Sequence, residues 1–288
     1  MGAPLTSGVF AAVLLGALLH AGWNALIKSG TDKSLDTALI HTLGVGIAVP
    51  IVAMVGLPRP ESWPYLATSI VIHLGYYIAL AGAYKHGDLG LTYPVMRGAA
   101  PLLVALASGP FVGETLSLQA WASVVAVCAG VAAVGLSPRA LGHGNPSKAL
   151  RFAFANAAII AVYTVVDGIG VRQSGNAAAY VATLFLFDGL PYLALVMWQR
   201  RAARRESFAY MAGRWKLALL GGAASMASYG IALWAMTRAP VASVAALRET
   251  AVLFAAVIGV VWLRESFGLL RALGTLLIVG GVVGLRLA

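Results

Sequence analysis

From Ser7 onward the chain is a succession of apolar runs, each about twenty residues long, divided by short polar or Pro/Gly-containing joints. This restricts the fold more than any other feature. A helix of that length crosses a hydrocarbon core about 30 Å thick, and inside that core every backbone N–H and C=O must be bonded within its own helix or in a closed barrel. The runs are too long for barrel strands, so they predict helices. With 60% hydrophobic and only 10% charged side chains, the 288 residues cannot supply the solvated surface of a soluble globule. The expected fold is an all-α integral membrane protein. Ten transmembrane helices are read at approximately 8–28, 36–57, 65–85, 91–112, 117–136, 149–171, 177–199, 214–237, 241–262 and 268–287.

The longest joints, around 137–148 and 200–213, are too small to hold a folded domain outside the membrane. The first run lacks a basic leader and continues past Ala11 and Gly16 into Trp23 and Asn24 without a cleavage pattern, so it is expected to be a retained helix. The single cysteine, Cys128, falls inside the fifth run. Disulfides are thereby excluded, and a small packing role is expected for it.

The net charge of +10 invites a nucleic-acid reading, but in a membrane protein the placement of Lys and Arg matters more than their sum. Joints after the odd-numbered runs hold fourteen basic residues, among them Lys28, Lys33, Lys85, Arg139, Arg200, Arg214, Arg264 and Arg271. The other side holds four, Arg59, Arg172, Arg238 and Arg286. The positive-inside rule then places both termini outside the cytoplasm. The basic stretch QRRAARR serves as a topology anchor against anionic membrane lipid, and no nucleic-acid partner is expected.

Arg97 and Arg248 remain, and both lie inside apolar runs. Setting IALAGAYKHGDLGLTYPVMRGAAPLLVALASGPFVGETLSLQAW beside IALWAMTRAPVASVAALRETAVLFAAVIGVVWLRESFGLLRALG exposes a duplication. Closing a difference of about two residues in the joint matches Ile78-Ala79-Leu80 with Ile231-Ala232-Leu233, Arg97 with Arg248, Glu114 with Glu265, and Gly130 with Gly281. Five runs per half is an odd number, so the halves enter the membrane from opposite sides. The expected organisation is two inverted five-helix repeats, 1–136 and 149–288, joined by a cytoplasmic loop at 137–148. Such repeats commonly build secondary transporters, with substrate held near the midplane between halves. Pro50 in the second run falls opposite Pro191 in the seventh, and both are candidate hinges.

These features together carry a resemblance. Ten runs in two inverted halves, a charged or polar residue early in each fourth run, and Gly113-Glu114 or Arg264-Glu265 at its end resemble the EamA-type exporters of the drug/metabolite transporter superfamily. Pro101, three residues after Gly98, is similar to that family's fourth-run proline and is a further candidate hinge. Its counterpart is Val252, which puts the usual kink of the ninth run in doubt. The chain as a whole is similar to bacterial aromatic amino acid exporters. That resemblance implies a multi-pass protein of a bacterial-type inner membrane exporting Phe, Tyr, Trp and some drug-like cations.

A zwitterionic amino acid needs a cationic partner for its carboxylate, an acceptor for its ammonium and an apolar, aromatic-lined pocket. The sequence offers all three within the membrane. His20, Trp23 and Asn24 share one helix face, as do His73, Tyr77 and Tyr84. Tyr163 joins them from the sixth run, with Ser225 and Tyr229 from the eighth. Trp63, Trp198, Trp215 and Trp262 read instead as interfacial anchors.

Each charge near the centre of a membrane helix costs roughly 2.5–3.5 kcal/mol on insertion scales. Arg248 and Glu249 are adjacent and point about 100° apart, so each needs a partner on another helix or contact with water. Asp188 is the expected partner of Arg248, with Asp167 as the alternative. Arg97 and Arg248 either belong to opposite gates or fix helix depth by snorkelling. Small-xxx-small faces at Gly280/Gly284 and Ala126/Gly130 serve packing within a monomer or a contact in a homodimer.

An embedded enzyme is the main rival class. No HExxH, GxSxG or Cys/His ligand pattern is present, so no catalytic residue, metal or cofactor is expected. There is no P-loop either. A channel, and export of quaternary-cation drugs or other metabolites by proton antiport, remain as alternatives.

Overall fold

The computed structural model describes residues 5–86, 89–135, 146–263 and 268–288. It contains α1 (Ser7–Lys28), α2 (Lys33–Val55), α3 (Trp63–His86), α4 (Leu89–Ala107), α5 (Leu118–Gly135), α6 (Pro146–Gln173), α7 (Ala177–Gln199), α8 (Arg204–Met236), α9 (Val241–Arg248), α10 (Ala251–Leu263) and α11 (Leu269–Leu287). No strand occurs among the described residues. Eight helical stretches among them are long and apolar enough to cross a membrane, and Leu118–Val134 is a shorter apolar one.

Local chemistry marks where helices start and stop. The Thr6 hydroxyl accepts from the Val9 N–H, Asp32 from Leu35, and Asn176 from Ala178 and Ala179, which satisfies N–H groups that have no partner within the first turn. At its far end α4 widens into a π turn, Ser108–Val112, and then stops at Gly113 with φ 73°, a left-handed value that glycine adopts without strain.

Packing is inverted relative to a soluble protein. Alanine and valine dominate the buried positions, whereas Val71, Leu106, Phe111, Leu276 and Leu287 point outward. Hydrocarbon solvates large apolar side chains as well as a core does, so small residues are left to bring helices together. α5 and α11 approach each other closely. A methyl group at Gly130 would come within 2.6 Å of the Gly274 carbonyl oxygen, and one at Gly281 within 2.7 Å of that of Ser123. Gly284 also faces Ser123, but Gly280 meets nothing within 4 Å. The face packed on α5 is therefore Gly274/Gly281/Gly284, which shares Gly284 with the pair read from spacing and has Gly281 where that pair has Gly280.

Helices pair as α5 with α11, α3 with α6, α2 with α7 and α1 with α8. Both chain ends share one end of the bundle, since Arg286 donates to the Leu5 carbonyl at 2.7 Å and to the Ser7 hydroxyl at 2.8 Å.

Three boundaries differ from the sequence reading. α8 begins at Arg204, so most of the 200–213 joint is helix. Its first turns are polar, and hydropathy detects only the part that lies in hydrocarbon. α6 begins at Pro146, inside the expected 137–148 loop, the rest of which, to residue 145, lies outside the described residues, as do Arg264 and Glu265. The ninth run is two helices, α9 and α10, divided at Glu249-Thr250.

Candidate functional site

The break between α9 and α10 occurs without proline. The N–H groups of Glu249 and Thr250 fall back three residues, onto the carbonyls of Ala246 and Leu247, and the Thr250 hydroxyl adds a 2.8 Å bond to the Leu247 carbonyl. A side-chain hydroxyl competing for the carbonyl ladder is one of the identifiable causes of a helix interruption. By contrast α2, α4 and α7 run on through Pro50, Pro101 and Pro191. Proline marked positions where a bend is tolerated, whereas the helix is interrupted at a polar pair.

The interruption brings charge to the centre. Glu249 meets Arg97 of α4, with Arg97 Nε 3.0 Å from Glu249 Oε2 and side-chain exposures of 11% and 5%. This contact is close but not aligned: neither atom has a hydrogen-bond partner. Arg248 lies over the ring of Tyr229 from α8, 5.3 Å from its centroid, a cation–π contact. The Tyr229 hydroxyl donates to Asp167 of α6, and so does that of Tyr180 from α7, at 2.8 Å. Asp167 is wholly buried. Arg248 and Asp167 thus flank one tyrosine rather than forming a direct pair. Asp188, the partner expected for Arg248, faces α2 instead, where His41 Nδ1 lies 3.9 Å from its carboxylate.

Aromatic rings continue the seam. Tyr163 stacks on His73 with centroids 4.5 Å apart, and Tyr76 meets Tyr163 edge-on at 6.2 Å. His73 Nδ1 is held by the Ser69 carbonyl at 2.9 Å, which fixes the ring. Asn156 donates to the Tyr76 carbonyl at 3.0 Å while its own oxygen has no partner. Between α4, α6 and α9 this leaves a cavity of ≈ 10 Å³, about the room of one water, lined among others by Arg97, Pro101, Tyr163, Thr164, Arg248 and Glu249.

Of the residues read from sequence as substrate-binding, His73, Tyr163 and Tyr229 gather here. Ser225 is buried on α8. His20 and Trp23 meet edge-on at 5.3 Å, and the Trp23 ring N–H is buried without a partner. Asn24 donates to the His20 carbonyl at 2.8 Å, within its own helix. The side chains of Tyr77 and Tyr84 lie outside the described residues.

Two further clusters tie helices distant in sequence together at the bundle ends. At the basic end Arg200 pairs with Asp32 at 2.6 Å and Arg214 with Asp36 at 2.5 Å, while Tyr210 donates to Asp36 at 3.0 Å. At the opposite end Glu114 pairs with Arg172 at 2.6 Å and accepts from the first N–H of α9, Val241, at 2.9 and 3.1 Å. Sequence reading treated Arg172 and Arg214 as topology markers and Glu114 as a repeat marker, and it passed over Asp32, Asp36 and Tyr180. The available signal was scarcity, because only ten acidic residues exist and two of them, Asp32 and Asp36, stand one turn apart at a basic joint.

A bundle of apolar helices with large side chains outward, small ones inward and a buried seam of paired charge defines a multi-pass membrane protein. Comparison with known proteins supplies its kinship. The model of the EamA-like transporter family matches residues 147–287. The multidrug transporter EmrE of Escherichia coli (strain K12) is 30% identical over 81 residues, which are 28% of this chain and 73% of EmrE. One solved crystal structure of a protein superposes with a TM-score of 0.76 at 22% identity, covering 98% of this chain and 97% of that one, a likeness of fold alone. The chain belongs to the drug/metabolite transporter superfamily and is a membrane transporter of small molecules.

Proposed function

We propose that this chain exports amino acids, aromatic ones (Phe, Tyr, Trp) foremost, by alternating access through the central seam between two inverted five-helix repeats. The observation that carries the reading is the juxtaposition of opposite charges, Arg97 and Arg248 with Glu249, against the Tyr163/His73 and Tyr229 rings. A carboxylate, an ammonium and an aromatic side chain each meet a complementary group there. The helix pairing supports the repeats. Exchanging α1–α5 for the second five spans turns α3–α6 into α8–α1 and leaves α2–α7 and α5–α11 in place.

Arg97, Asp167, Asp188, Arg248 and Glu249 act in this reading as charge-pairing or gating residues. Pro50, Pro101 and Pro191 let their helices bend, and the two end clusters act as gates that open in turn. The basic end faces the cytoplasm of a bacterial-type inner membrane, with both termini opposite. The test is uptake of labelled Phe or Trp by proteoliposomes against protein-free vesicles, with and without an imposed pH gradient. Saturable uptake blocked by other aromatic amino acids is expected, and its absence with folded protein refutes the substrate. A second reading, export of cationic drugs by proton antiport, is favoured by the wholly buried Asp167 with two tyrosine donors and by the similarity to a multidrug transporter. Uptake of a quaternary cation driven by the pH gradient, without amino acid uptake, establishes it instead.

A further inference from the structure

We infer that the Arg97–Glu249 ion pair occupies the substrate's own place: a zwitterion binds by splitting it, setting its carboxylate on the Arg97 guanidinium and its ammonium on the Glu249 carboxylate. This rests on the amino acid reading above and specifies which charge pattern the site accepts.

Three other arginine–carboxylate pairs among the described residues provide the contrast. Arg172–Glu114, Arg200–Asp32 and Arg214–Asp36 are all hydrogen-bonded, at 2.6, 3.1 and 2.5 Å, and each carboxylate accepts at least one further bond from an N–H or a tyrosine. They are built as structural links. Arg97–Glu249 is among the most buried of the pairs, yet its two facing atoms, 3.0 Å apart, are the ones without a hydrogen bond. Buried polar atoms are normally satisfied, and leaving the facing atoms of a buried charge pair out of hydrogen-bond alignment is costly. A pair whose job was to hold α4 to α9 would be expected to align.

Both side chains line the small cavity, and Glu249 stands in the turn between α9 and α10, where no regular helix fixes its backbone. Arg248 is adjacent on the Tyr229 ring, a second cation within reach of an arriving carboxylate. The two halves meet through this pair, so a ligand that takes both charges replaces the link between α4 and α9 by itself. An amine without a carboxylate would leave Arg97 buried and uncompensated, and a carboxylate without an amine would do the same to Glu249. Stranding one member of a buried pair is strongly unfavourable, so each half-charged analogue should bind at least ~100-fold more weakly than the zwitterion.

The test uses the full chain in proteoliposomes, with competition against labelled phenylalanine by phenylalanine, phenethylamine and 3-phenylpropionate. Expected is competition by phenylalanine with both analogues at least ~100-fold weaker. Glu249→Gln should shift preference toward 3-phenylpropionate, and Arg97→Gln toward phenethylamine. Each is a gain of ligand that simple loss of fold does not produce. Wild-type competition by either analogue equal to that by phenylalanine overturns the inference and leaves the transporter reading in place. Unchanged preference in both folded variants overturns it likewise. If folded protein takes up no phenylalanine, the aromatic substrate falls first. Thermal stabilisation by a panel of aliphatic amino acids, and by the matching amines and acids, then decides the pair: stabilisation by zwitterions alone sustains it, and stabilisation by cations alone, by anions alone or by none overturns it.

Discussion

Replacing Gly281 by alanine and, separately, replacing its neighbour Gly280 should have opposite effects. At Gly281 the added methyl would stand 2.7 Å from the Ser123 carbonyl oxygen, 2.7 Å from Val127 Cγ2 and 3.0 Å from the Val127 nitrogen. Ordinary contact begins near 3.4 Å, so α5 and α11 must part by about 0.7 Å. A gap of that size forfeits roughly a quarter to a half of the dispersion energy of the contacts it opens, and overpacking of this kind typically costs about 1–3 kcal/mol. At Gly280 the methyl meets nothing within 4 Å, and alanine is the better helix former by up to about 1 kcal/mol. The two variants should therefore differ by about 1–4 kcal/mol, although they exchange the same atoms at adjacent positions. Denaturant and thermal unfolding in detergent micelles, followed by intrinsic fluorescence, measures this. Equal stability of the two, or a less stable Gly280→Ala, would refute the close α5–α11 approach.

The ion pairs at the bundle ends should behave as links. Glu114→Ala removes the acceptor of the Val241 N–H and the partner of Arg172, and a loss of about 2–3 kcal/mol is expected by the same unfolding assay, with Glu114→Gln retaining part of it. A double-mutant cycle on Arg214 and Asp36 should give a coupling of about 1–3 kcal/mol, and additive single effects would show that the pair contributes nothing. Tyr229→Phe and Tyr180→Phe each take one donor from the buried Asp167, at an expected cost of about 1–3 kcal/mol. Adding Asp167→Asn to either variant should recover part of that loss, because an amide is less costly to leave under-bonded than a carboxylate.

How much was legible in the sequence depended on the range of the physics involved. Helix positions were readable because a bilayer imposes one length and one polarity on every crossing, so the expected starts and ends of α1 and α7 fall within a residue or so of the observed ones. α8 was read ten residues short, because the polar part of a helix leaves no hydropathy signal. Arg248 and Glu249 were recognised as needing partners from the cost of burying charge. Which partners was beyond reach: Asp188 was expected for Arg248, with Asp167 as the alternative, and none was named for Glu249, because only the rotation of α4, α6 and α7 decides which group each charge meets. Of the Gly280/Gly284 pair read on α11, Gly284 meets α5 and Gly280 does not, for the same reason.

The sequence by itself determined the solvent this chain folds in, and with it the helical class of its secondary structure and the need to pair every charge inside the membrane. Hydrophobic burial and backbone satisfaction act locally and are written into each run. The tertiary structure alone decided that Glu249 meets Arg97, that Arg248 rests on Tyr229, and that the ninth run breaks at a polar pair rather than at a proline. Those outcomes depend on helix rotation and crossing, set by the sum of many weak contacts spread over the whole bundle.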